Sequence, residues 1–110
     1  MKTITATELK ALQKDATLIH VLPEEHFAQQ HLPGAVHACV YEMIFLSKVA
    51  ELVPYKSAAI IVYGAGAPSL DSATAAEKLE KAGYTNVCDF RGGLTEWLKH
   101  GLAVEGTGLI

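Results

Sequence analysis

Cysteine is scarce in this sequence: there are two in 110 residues, Cys39 and Cys88, and neither lies in a Cys-x-x-Cys pair. That excludes a disulfide framework and makes reduced thiols in a cytoplasmic protein the plain expectation. Positive charge is also short. Nine Lys and Arg face twelve Asp and Glu, a net charge of −3, which argues against nucleic acid or an anionic membrane as partner. No apolar run approaches the roughly 18 residues needed to span a bilayer. The opening MKTITATELKALQKD lacks the apolar core of a secretory signal. Internal repeats, low-complexity tracts and linkers are absent too. Half the residues are apolar and 19% charged, so residues 1–110 are expected to form one globular domain.

The organising stretch is Ala58–Ala82, AAIIVYGAGAPSLDSATAAEKLEKA. Its apolar run Ala58–Tyr63 suits a strand buried on both faces. A Gly/Pro/Ser loop follows, then a helical pattern with Ala73, Ala76 and Leu79 on one side. Strand, tight loop and helix N-terminus point several backbone N–H groups at one spot, which makes an anion cradle. Enzymes that use this geometry for covalent chemistry place a nucleophile first in the loop. Here that residue is Gly64.

Elsewhere the pattern alternates. Thr5 and Glu8 form a capping box that opens a helix over Thr7–Gln13. Ala16–Leu22 is a strand stopped by Pro23, Glu24–Gln30 a short helix, and His31–Ala35 a Pro-Gly turn. Val36–Val40 is a second strand. Tyr41–Val53 reads as a helix with a wide apolar face, either packed on the sheet or partly exposed for a protein partner or a second copy. Gly83 ends the central helix, Thr85–Phe90 is a strand, and Gly93–His100 is a helix bearing the only tryptophan, Trp97. The tail, residues 104–110 in particular, shows no periodicity. This order implies a mostly parallel sheet with helices on both faces. Its ligand site would lie where the loops after Leu22 and Tyr63 meet Arg91-Gly92-Gly93.

Three segments then make the chain resemble a single-domain rhodanese, a sulfurtransferase homology domain. LIHVLPEEHFAQQHLPGA is similar to the family's first signature, an Asp-Val-Arg strand end followed by an acidic helix and Gly-His-Ile-Pro-Gly-Ala. IIVYGAGAPSLDSATAAEKLEKAGY is similar to the active-loop segment and its helix. VCDFRGGLTEWLKHGLAVEG is similar to the closing strand, Gly-Gly turn and Trp-bearing helix. The resemblance spans most of Leu18–Gly106. It implies a three-layer α/β sandwich around a five-stranded, mostly parallel sheet. It also implies a persulfide carried on a cysteine directly after the fourth strand, cradled by the loop's N–H groups.

At that position this chain has Gly64. The loop Gly64, Ala65, Gly66, Ala67, Pro68, Ser69, Leu70, Asp71, Ser72 carries no base, and Asp71 adds negative charge beside the cradle. It is longer than the family's common form and fits a variant with a second cysteine at the position of Ser69. His20 stands for the signature Asp, Leu22 for the Arg and Gln30 for the first Gly. The expectation is a rhodanese-like domain without thiosulfate sulfurtransferase activity, acting as a binding or regulatory module, with a small anion as possible loop ligand. The alternative is a working sulfurtransferase that uses Cys39, at a strand end, or a partner's cysteine. A phosphatase would need the same missing thiolate. Cys88, inside a strand, reads as a small apolar residue, and Ser69 and Ser72 as helix N-caps. Arg91 is the one cation expected to face the loop, read either as a helper for an anion bound there or as a solvated surface residue. His20, His26, His31 and His37 match no helical or strand face, and His31 belongs to the family's turn. No metal or cofactor is expected.

Overall fold

The computed structural model describes residues 1–107. Each apolar run condenses into a strand shorter than itself. Thr17–His20 (β2), Val36–His37 (β3), Ile60–Tyr63 (β4) and Val87–Phe90 (β5) join a two-residue strand, Lys2–Thr3 (β1), that the apolar pattern does not mark. β1 is polar and exposed, and it enters the sheet through its backbone alone, opposite Cys88 and Asp89. Beyond their last ladder residues the runs stay in contact. Val21 N–H donates to Tyr63 O at 3.0 Å and Ala38 N–H to His20 O at 3.1 Å.

The sheet order is β1-β5-β4-β2-β3, and every pairing is parallel. Strand β4 is flanked on both sides and all four of its residues are buried, as a continuously apolar strand requires. Alternation along the strands splits the core in two. Ile19, Ile60, Val62 and Val87 face one way, while Leu18, Ile61, Tyr63 and Phe90 face the other.

The helices are Ala6–Leu12 (α1), Glu24–Gln29 (α2), Phe45–Leu52 (α3), Asp71–Lys81 (α4) and Gly93–Lys99 (α5). The α1 capping box is complete: Thr5 Oγ1 accepts from Glu8 N–H at 3.2 Å and Glu8 Oε1 from Thr5 N–H at 3.0 Å. Phe45, Val49 and Val53 join Ala75, Ala76 and Leu79 on the first face, and Leu9 and Trp97 cover the second. The result is the expected three-layer arrangement.

One expectation changes. The helix expected over Tyr41–Val53 begins only at Phe45. Residues 41–44 form turns instead, with Glu42 N–H donating to Cys39 O and Phe45 N–H to Glu42 O. No Ser, Thr, Asp or Asn precedes them to cap an earlier start, so an apolar stretch that continues the period does not continue the helix. The described part of the tail forms no helix or strand, and its irregular path is pinned to the domain. His31 and Glu105 exchange two backbone hydrogen bonds of 2.9 Å, Leu102 and Val104 pack on the second core, and Trp97 Nε1–H donates to Ala103 O. Residues 108–110 of the expected irregular tail lie outside the described residues. No described helix is long and apolar enough to cross a membrane.

Candidate functional site

The carboxyl ends of β2, β4 and β5 bring three loops together. Gly64, the first residue after β4, is buried. A Cβ built there would lie 3.4 Å from Asp71 Cβ, 3.7 Å from Asp71 Oδ2 and 3.7 Å from Leu22 Cδ2. These are ordinary contact distances, so the space for a small side chain exists and is walled by a carboxylate and a leucine.

The loop 64–66 lies on the Gly92–Gly93 turn backbone to backbone. Leu94 N–H donates to Gly64 O at 3.1 Å, and Thr95 donates to Ala65 O from both its N–H and its hydroxyl. Only glycine permits that approach. A Cβ on Gly66 (φ +132°) would come within 2.5 Å of Gly92 O, and one on Gly93 (φ +53°) within 2.8 Å of Gly66 N. The turn therefore holds the carbonyls of residues 64 and 65 down. The N–H groups of Ala65, Gly66 and Ala67 have no acceptor among the described residues.

The far side of the loop departs from the capping expectation. Helix α4 begins at Asp71, so Leu70 occupies the cap position without a side-chain cap. Ser69 precedes it. Its hydroxyl donates to Asp71 Oδ2 at 2.5 Å and accepts from Asp71 N–H at 3.3 Å. This small ring fixes the Asp71 carboxylate beside Gly64. Ser72 lies in the first turn, buried and close to Asp89 on β5, whose Oδ1 is buried without a hydrogen-bond partner among the described residues. Burial raises the Asp89 carboxyl above its ordinary range, against the opposing effects of Ser72 and Arg91. Pro68 and Leu70 are exposed at the loop's outer edge.

Arg91 follows β5 and is half-buried, but its charge acts on Asp89. Among the described residues no hydrogen bond ties it to residues 64–72. Cys39 is 4% exposed, and burial, then the nearby Glu42, pushes its thiol up from its ordinary value. A buried thiol with a raised pKa is a poor nucleophile. Cys88 is half-buried against the second core.

Of the four histidines clustered in the sequence, His26 is exposed on α2 and the other three are absorbed into packing. His37 hydrogen-bonds to Leu22 O through Nε2 (2.7 Å) and to Lys48 Nζ through Nδ1 (3.3 Å). His31 stacks on Phe27 with centroids 4.1 Å apart and bonds to Phe27 O. His20 is fully buried with Phe27 and Tyr63 edge-on around it. Among the described residues no three His, Cys, Asp or Glu side chains are grouped to hold a metal. Sequence reasoning placed the loop and the Gly-Gly turn but missed Asp89, whose place under Ser72 depends on strand register.

The fold and loop define a rhodanese-like α/β domain. The family model described as rhodanese-like domain matches residues 5–100, and the chain belongs to that family. Among solved structures, the BH2092 protein from Bacillus halodurans is similar at TM-score 0.85 and 22% identity, over 97% of this chain and 78% of that one. The rhodanese-like domain of the Alr3790 protein from Anabaena sp. is similar at TM-score 0.83 and 26% identity, over 98% and 81%. A thiosulfate sulfurtransferase from Pseudomonas aeruginosa is similar at TM-score 0.80 and 22% identity, over 96% of this chain and 20% of that one. No curated protein matches the sequence.

Proposed function

We propose that this chain is a rhodanese-like domain that does not transfer sulfur from thiosulfate and works as a binding or regulatory module. One observation carries the reading: the residue that opens the loop after β4 is Gly64, and the side chain facing it is the Asp71 carboxylate. Sulfur transfer through a persulfide needs a thiolate held among positive or hydrogen-donating groups. Gly64, read as the counterpart of the family's cysteine, supplies no sulfur. Asp71 opposes the charge that a thiolate, persulfide or free oxyanion would bring. Cys39, the fallback carrier, is buried and its thiol is raised, so it does not replace the missing group.

The test is thiosulfate-to-cyanide transfer on the purified chain, with mass spectrometry of intact and digested protein for one added sulfur atom. No turnover and no adduct on Cys39 or Cys88 is the expected result. Turnover that disappears in Cys39→Ser would overturn the reading and make Cys39 the carrier.

A further inference from the structure

The turn 41–44 and the start of α3 leave an apolar surface uncovered. Met43 is 103% exposed, Tyr41 67% and Ile44 57%. Beside them runs a groove of about 350 Å³ between α3 and the C-terminal end of α4. Met43, Phe45 and Leu46 supply apolar walls. Glu42 lines it from the turn, and Lys78 and Lys81 line it from α4.

Two features of this patch point to one kind of occupant. A protruding methionine stands next to a recess of a size to take a flexible apolar side chain. An acid and two bases share the recess, yet among the described residues neither lysine forms an ion pair with Glu42. Knob with hole, and acid with base, on a single patch are the conditions for self-complementarity under a two-fold axis. A foreign partner of one charge sign would leave either Glu42 or the lysines facing a like charge.

We propose that a second copy of this chain covers the groove in an isologous pair. Each Met43 enters the other protomer's recess, and each Glu42 meets Lys81, with Lys78 behind it, across the axis. Lys78 also donates to Val40 O at 3.3 Å, which anchors its end near the recess. The pairing is independent of the loop's chemistry and holds whether or not the loop transfers sulfur.

Sedimentation equilibrium from micromolar to high-micromolar chain concentration tests it. A dimer with a Kd on the order of 10 µM is expected, as suits an interface at the small end of the specific range. Met43→Glu weakens it roughly 30-fold or more by placing a charge in the recess. Glu42→Lys and Lys81→Glu each weaken it about 5-fold, and the double swap restores the starting value within about 2-fold. All three positions are exposed, so urea midpoints measured well below the Kd, where the chain is monomeric, should stay unchanged. The charge-swap pair keeps the test intact if Met43→Glu fails to fold. A monomer at every concentration overturns the proposal and leaves the groove to a different chain. So does a dimer indifferent to Met43→Glu, or a double swap no tighter than the singles.

Discussion

At position 64 what is missing is a Cβ and a reactive atom, and the surrounding distances say what would follow from adding them. Contacts of 3.4–3.7 Å admit the Cβ of Gly64→Cys without moving the loop. The new thiol would sit beside the Asp71 carboxylate, which disfavours the thiolate. Gly64→Cys is therefore expected to react slowly with iodoacetamide at neutral pH. Adding Asp71→Asn should lower the thiol's pKa by about one unit and raise the rate up to about tenfold. Equal rates in the two variants would show that Asp71 does not govern the site. His20 is a second residue whose chemistry is set by its surroundings. Its Nδ1 accepts from Leu22 N–H at 3.3 Å, which leaves the proton to Nε2, buried and without a hydrogen-bond partner among the described residues. Burial, then the neighbouring histidines, pushes its pKa down from 6.5 to about 4. The fold thus keeps His20 neutral where the unfolded chain would charge it. The benefit is full above pH 6.5 and is lost as pH falls towards 4. Between pH 7.5 and 4.5 the loss is about 2–3 kcal/mol, and urea unfolding of His20→Leu should show a correspondingly flatter pH dependence. An unchanged slope would rule His20 out as the source.

Among the elements, the capped and glycine-bounded ones were legible in advance. Thr5 and Glu8 predicted α1 because a capping box is a local exchange of hydrogen bonds that needs no distant partner. Thr5→Ala should cost about 1 kcal/mol in urea unfolding. Gly92–Gly93 was equally legible as a turn, but what the turn supports was not. Gly93→Ala combines a positive φ with a 2.8 Å approach to Gly66 N. It should cost about 2–3 kcal/mol and loosen residues 64–66, seen as faster amide exchange at Leu94 and Thr95. Amide protection there as in the parent would separate the loop from the turn. Helix α3 shows the converse. Its apolar period runs on through Tyr41, but hydrophobicity cannot distinguish a residue facing the core from one left in the open. Only the crossing from β3 to the helix decides that Phe45 goes in and Met43 stays out.

At the scale of the whole molecule, the segment after α5 returns to the first third of the chain. Residues after α5 run back beneath α2, where Glu105 pairs with His31 and Thr107 N–H donates to Ala28 O at 2.8 Å. Leu102 and Val104 thereby help to close the second core, with Ala103 O accepting from Trp97. Leu102→Ala with Val104→Ala should lower stability by about 2 kcal/mol in urea unfolding, the cost of two half-buried aliphatic side chains. No loss would mean the tail rests on the fold without supporting it.

The sequence alone determined the alternation of strands and helices, the parallel sheet, the family and the place of the loop. Each is written in spacing, caps or turn residues that act within a few positions of one another. It also determined that the loop opens on glycine. Tertiary structure decided whatever depends on segments far apart in the chain. The two-residue β1 is held by β5, and the Asp71 carboxylate is fixed facing Gly64. Cys39 is shut away from solvent, Asp89 is set under Ser72, and the tail is tied to His31. Those outcomes rest on register and on how the helices close over the sheet, and the side chains that meet there carry no mark of it in their own neighbourhoods.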